Sequence, residues 1–123
     1  MPRIRRMPTE ELVVENITKN DIAVIRLTGP LTLVGVFKFQ NIVRAETAPV
    51  VIIDMTAVPY ADSAGIGSLV LAHVSCQKAG RKLALVGVAP RPMEVMKMTR
   101  VDQLLSFFPS VEEAERKLMP AAS

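Results

Sequence analysis

The sequence predicts an α/β fold: a mixed, mostly parallel β-sheet of about four to five strands, with an N-terminal β-hairpin and about four helices. Three observations predict it. Two apolar stretches, Leu12–Ile17 and Ile22–Leu27, flank Lys19-Asn20-Asp21, which is the spacing of an antiparallel hairpin. Val50–Ile53 and Leu83–Val88 are continuous apolar runs rich in β-branched or aliphatic residues, the pattern of strands covered on both faces of a parallel sheet. Between them lies a helical pattern, and strand–helix alternation after residue 50 implies right-handed crossovers.

Each element follows in order. Leu12–Ile17 is expected as the first strand and Ile22–Leu27 as the second, which Gly29-Pro30 then breaks. Val34–Ala45 is expected as a short helix with Val36, Phe37, Phe39, Ile42 and Val43 on its buried side. Val50–Ile53 is the third strand, ending at Asp54. Ser63–Lys78 is a helix whose Ile66, Leu69, Val70, His73, Val74 and Gln77 fall on one face, with Gly80 as its C-terminal stop. Leu83–Val88 is the next strand. Pro90 and Pro92 open a helix over Met93–Thr99, since proline is tolerated in a first turn. Leu104–Phe107 is expected as a short last strand. Ser110-Val111-Glu112-Glu113 has capping-box spacing and starts a final helix reaching about Met119.

The 123 residues suit one domain, and an apolar half is enough to bury a core. The expected layout is a flexible basic arm over 1–9, the folded domain over 10–119 and a tail over 120–123. No apolar run reaches the ~18–20 residues that span a bilayer, and no signal-peptide stretch follows the basic start, so a cytoplasmic location is expected. Cys76 is the sole cysteine and His73 the sole histidine. That pair offers no disulfide and no zinc pattern, and no metal or cofactor is expected. Arg3, Arg5 and Arg6 account for much of the +3 net charge, but no basic helix with interleaved aromatics follows, so no direct nucleic-acid contact is expected.

Chemistry concentrates at Asp54–Leu71. Asp62 precedes Ser63 as an N-cap residue, so Ser63 enters at a helix N-terminus, where unpaired N–H groups and partial positive charge favour an anion. As a nucleophile Ser63 would need a base within hydrogen-bond reach. His73 is ten residues on in the same helix, roughly 15 Å along the axis. Ser63 is not in a G-x-S-x-G elbow, and Gly65-Ile66-Gly67 lacks the third glycine of a dinucleotide loop. The chain therefore reads as non-enzymatic. As a phosphate acceptor, Ser63 would gain about −1.5 to −2 charges, which affects a docked partner more than the fold. Gly65 and Gly67 cost roughly 1 kcal/mol each in a helix and have two available reasons, tight packing on the sheet or close approach of a partner.

Asp54-Met55-Thr56 followed by Asp62-Ser63-Ala64-Gly65-Ile66-Gly67-Ser68-Leu69 resembles the D-x-[ST]…D-S-[SA]-G-[LI]-G-x-L signature of the STAS domain, a family that includes bacterial anti-sigma factor antagonists. Leu27-x-Gly29-x-Leu31 is similar to the family's second strand and exit turn. Leu83–Val88, Pro90 and the segment from Met96 to Ala114 are similar to its later half, so the match spans roughly Glu10 to Leu118.

The resemblance implies a STAS fold and a partner-switching protein. Ser63 would be phosphorylated by an anti-sigma factor serine kinase. The unmodified form would bind that kinase and release a sigma factor, and a serine phosphatase would reset the switch. Asp54, Thr56, Asp62, Ala64, Gly65, Gly67 and Leu71 would shape the partner-binding surface, and ATP would belong to the kinase. Ala64 stands where many antagonists carry a second serine, and this chain is basic where many are acidic. The resemblance also admits a second role, as a STAS subunit of a larger assembly such as a stressosome-like complex or a lipid-transport ABC system.

Overall fold

Asn20 turns the chain back on itself. It adopts the left-handed conformation (φ +58°), which asparagine tolerates in tight turns, and so closes a two-residue hairpin between β1 (Val13–Lys19) and β2 (Ile22–Thr28). The computed structural model describes residues 11–119; the expected basic arm 1–9 and tail 120–123 lie outside the described residues. After the hairpin come α1 (Val36–Ala45), β3 (Val50–Ala57), α2 (Ser63–Lys78), β4 (Lys82–Val86), α3 (Pro90–Met98), β5 (Phe107–Phe108) and α4 (Val111–Leu118). The five strands form one sheet in the order β1-β2-β3-β4-β5. β1 is antiparallel to β2, and β2 through β5 are parallel. The mixed, mostly parallel sheet with its opening hairpin is therefore as expected.

This topology fixes the layers. Each parallel strand is added beside its predecessor, so right-handed crossovers put α1, α2 and α3 on one face. The larger core lies there: Phe39, Val43, Ile66, Leu69, Cys76 and Met96 pack against Ile25, Val51, Ile53 and Met55. Among the described residues α4 covers the other face, where Ala114 meets Ile22, Val50, Ile52 and Val86. Ser110 caps α4 by accepting from the Glu113 N–H at 3.2 Å, as the capping pattern predicts.

Several expectations change in detail. β3 does not end at Ile53; it continues through Asp54 to Ala57, because Asp54 pairs in register with Arg26 and its carboxylate is satisfied within the sheet. α1 begins at Val36 rather than Val34, and Phe37 is exposed rather than buried, since Val36, Phe39 and Val43 supply the buried stripe. The last strand is displaced: Leu104 is exposed after a 3₁₀ turn at Val101–Gln103, and pairing with β4 starts at Phe107.

The buried stripe of α2 is also rotated from the expected one. Gly65, Ile66, Ser68, Leu69, Ala72 and Cys76 face the sheet, whereas Val74 and Gln77 are exposed and Val70 and His73 are half-buried. Small side chains at Gly65, Ser68 and Ala72 let the helix lie close to the sheet, and an apolar-periodicity count overlooks them. The buried Ser68 hydroxyl is satisfied by donating to the Gly65 carbonyl at 2.6 Å. α2 stops at Lys78, and Gly80 takes the left-handed turn beyond its C-cap (φ +72°).

Candidate functional site

The N-terminus of α2 is anchored by one aspartate. Asp62 Oδ1 accepts from the Gly65 N–H at 2.8 Å, the N-cap interaction, while Oδ2 accepts from the Leu33 N–H at 3.1 Å. Its own N–H donates to the Leu31 carbonyl at 3.2 Å, and Leu31 donates to the Tyr60 carbonyl at 3.1 Å. Leu31 and Ala61 thus form a parallel bridge that stitches the loop after β2 to the loop after β3. Both loops leave the carboxyl ends of parallel strands, where functional groups gather in open α/β sheets.

Ser63 is the first residue of α2 and is exposed, with Ala64 half-buried beside it. Its hydroxyl sits at the positive end of the helix dipole. Asp62 engages two backbone amides through its two oxygens, so its charge is spent on positioning the helix. His73 lies ten residues along the same unbroken helix, about 15 Å away by helical rise, too far to act as a base for Ser63. Cys76 is buried. Burial pushes its thiol above the usual range, against a weaker opposing pull from the Arg81 charge, so it is a packing residue and not a nucleophile. Among the described residues no group of three or more His, Cys, Asp or Glu side chains could hold a metal ion.

The two glycines separate. A Cβ on Gly65 would overlap the backbone carbonyl oxygen of Leu31, so packing within the chain accounts for that glycine. A Cβ on Gly67 would meet nothing within 4 Å, so no intrachain contact requires a glycine there. Gly67 and Leu71 share the exposed side of α2 with Ser63.

Asp54 and Thr56 lie elsewhere. Strand alternation places both on the sheet face of Val50 and Ile52, which α4 covers, whereas α2 packs on the opposite face. Asp54 is buried, and Oδ1 accepts from the Thr56 hydroxyl at 2.6 Å and from the Thr56 N–H at 3.0 Å. Arg26 Nε approaches Oδ2 at 3.4 Å. Burial works to raise the Asp54 pKa, but these hydrogen bonds and the Arg26 charge outweigh it and hold the carboxyl below its ordinary value. The structure therefore brings Asp62, Ser63, Ala64, Gly65, Gly67 and Leu71 together on α2 and places Asp54 and the exposed Thr56 on the α4 face, at the carboxyl end of β3.

Sequence reasoning missed three exposed apolar side chains at this end of the domain: Leu33 and Val34, in the loop that Asp62 holds, and Phe37, in the first turn of α1. Of the three, Phe37 is the one expected on a buried side, and only the tertiary arrangement turns it outward. It also missed Arg91, whose guanidinium stacks over the Tyr60 ring at 5.5 Å and braces the β3–α2 loop from α3.

Comparison with known structures finds the same architecture. An anti-sigma factor antagonist from Mycobacterium paratuberculosis superposes with a TM-score of 0.82 at 16% identity, covering 92% of this chain and 98% of that one. A putative anti-sigma factor antagonist from Thermotoga maritima gives 0.81 at 18% identity, covering 87% and 95%. The anti-sigma factor antagonist SpoIIAA in its unphosphorylated form gives 0.67 at 17% identity, covering 86% and 95%. At such identities these likenesses speak to fold. The family model of the STAS domain matches residues 14–114, most of the chain and all of the site, and this chain belongs to the STAS domain family.

Proposed function

We propose that this chain is an anti-sigma factor antagonist, a partner-switching protein controlled by phosphorylation of Ser63. The observation that carries the reading is the exposed Ser63 hydroxyl at the first position of a helix whose start Asp62 fixes from two sides. An anti-sigma factor serine kinase docks over Ser63, Ala64, Gly67 and Leu71. The γ-phosphoryl group of ATP passes to the Ser63 oxygen, ADP departs, and a base on the kinase takes the hydroxyl proton. This chain supplies an acceptor in a fixed position and no catalysis of its own.

The electrostatics favour switching over refolding. The helix dipole stabilises a phosphate by roughly 0.3–1 kcal/mol, and the neighbouring Asp62 carboxylate opposes it. The fold is thus nearly indifferent to the modification. A kinase surface that must desolvate the new dianion is not, so the phosphorylated form dissociates until a serine phosphatase removes the group. The unmodified form holds the kinase and thereby frees a sigma factor. The domain's likeness to several solved antagonists supports this reading, and Asp54 and the exposed Thr56, at the carboxyl end of β3, complete the proposed docking surface.

The test is incubation with kinase and labelled ATP, followed by mass-spectrometric mapping. Phosphate on Ser63, absent from Ser63→Ala, supports the assignment; modification elsewhere defeats it. Stable co-purification with a transport ATPase or a stressosome-like assembly would move the chain to the second role.

A further inference from the structure

Two parallel stripes run along the outer side of the helical layer. On α2, Ser63, Gly67, Leu71, Val74 and Lys78 recur at helical spacing and are all exposed. On α1, exposed Phe37 and Arg44 flank half-buried Gln40 at helical spacing, with Phe37 68% and Leu71 60% exposed. A groove of about 310 Å³ lies between them, lined in part by Gln40, Arg44, Leu71, Val74 and Lys78.

The charge along these stripes is one-sided. Val36–Ala45 and Ser63–Lys78 contain no Asp or Glu, but carry Lys38, Arg44 and Lys78. Lys38 pairs with Glu11 at 3.6 Å, whereas Arg44 and Lys78 have no ion-pair partner among the described residues. Both stripes therefore have an apolar residue nearer the Ser63 end and an unpaired cation at the far end. The distance from Ser63 to Lys78 is about 22 Å along the axis.

We propose that this groove receives an acidic amphipathic helix of the partner. Its apolar face packs on Leu71 and Val74 in the groove and on Phe37, one turn before Gln40 and outside the groove's lining, and its carboxylates lie over Arg44 and Lys78. A groove between two parallel helices is shaped for a third, and charge complementarity selects an acidic one. This deepens the function proposed above by naming the partner's chemistry, and rests on that reading for its link to regulation. Ser63 lies eight residues before Leu71, about 12 Å along the axis, so a partner helix of about 18 residues, ~27 Å long, extends from the groove to the start of α2, where a phosphate on Ser63 repels its acidic flank. Cations in a last helical turn also complement the helix dipole, which would explain Arg44 and Lys78 without any partner. Charge reversal separates the two explanations.

The probes are two synthetic 18-residue helical peptides with the same leucine face, one flanked by Glu and the other by Lys, titrated into the isotope-labelled chain at low salt. The Glu peptide is expected to bind at least tenfold more tightly and to shift amide signals along both stripes. Leu71→Ser should weaken it at least tenfold, and Arg44→Glu/Lys78→Glu should reverse the preference. If that double variant does not fold, Arg44→Gln/Lys78→Gln should abolish the preference. Equal binding of the two peptides, shifts confined to the α4 face, or a preference unchanged by the charge variants would overturn the proposal. So would vesicles rich in phosphatidylglycerol that bind through Arg44 and Lys78 when the Glu peptide does not. The peptides require neither kinase nor ATP. If they fail while Ser63 is phosphorylated, only this inference falls; if they bind while Ser63 is never modified, only the proposed function falls.

Discussion

Gly65 lies against the backbone carbonyl of Leu31 so closely that a Cβ there would overlap the oxygen. The carbonyl cannot swing aside, because it also accepts from the Asp62 N–H, and the Leu31 N–H is committed to Tyr60. The loop after β2 and the start of α2 are therefore one unit. Gly65→Ala is expected to cost about 1–3 kcal/mol by overpacking, read as a lower urea midpoint at unchanged slope. An unchanged midpoint would show that the loop yields freely.

Gly67 should behave in the opposite way. Its position is open, so Gly67→Ala adds helix propensity without a clash and should raise stability by about 0.5–1 kcal/mol. If a partner approaches closely at this point, the same variant lowers the rate of Ser63 phosphorylation severalfold. Stability up and phosphorylation down is the expected pairing; a faster-modified variant would contradict it.

Asp62→Ala removes both the helix cap and the acceptor for Leu33. A loss of about 1–2 kcal/mol is expected in equilibrium unfolding, whereas Asp62→Asn, which keeps an acceptor oxygen, should lose less than half of that. Equal losses for the two would mean that charge, not capping, matters at this position.

Acid should destabilise the domain through two carboxylates. Asp54 is held low as described, and burial of Glu46 is likewise outweighed by hydrogen bonds from Asn16, Ala48, Thr18 and Thr47. A depressed folded-state pKa gives stability that is present above the unfolded value, about 4, and is lost as pH falls through the folded value. Unfolding free energy should thus be flat between about pH 5 and pH 8 and decline below about pH 4. Thr56→Val should raise the Asp54 pKa, detectable by carbon-detected NMR titration of the carboxyl group. No upward movement in that variant would show that Thr56 is not what holds it.

Much of this fold was legible in sequence because local and tertiary signals agree. The β-branched Val50–Ile53 run lies on both faces of a central strand, and Asp62 with Lys78 and Gly80 brackets α2 as its caps predict. What stayed hidden depended on neighbours. Aspartate disfavours strands, so the sequence ends β3 before Asp54, whereas Arg26 and Thr56 satisfy its carboxylate and let the strand run on. Phe37 reads as core by its apolarity, although Val36, Phe39 and Val43 already fill that side of α1. The packing of α2 rests on small residues that carry little hydrophobic signal. At the site, the Asp62–Ser63 arrangement was visible from capping rules. The side of the sheet that Asp54 faces was not, because it depends on strand register.

The central claim is that charge on Ser63 decides who may dock without altering the domain. Its most direct test is the affinity of the purified kinase for the unmodified chain and for the chain stoichiometrically phosphorylated on Ser63, with amide spectra of both forms. The account predicts at least a hundredfold weaker binding after phosphorylation, about 2.7 kcal/mol, with spectral changes confined to the start of α2 and the loop at Leu33. Equal affinity of the two forms, or weaker binding accompanied by changes throughout the sheet, would contradict it.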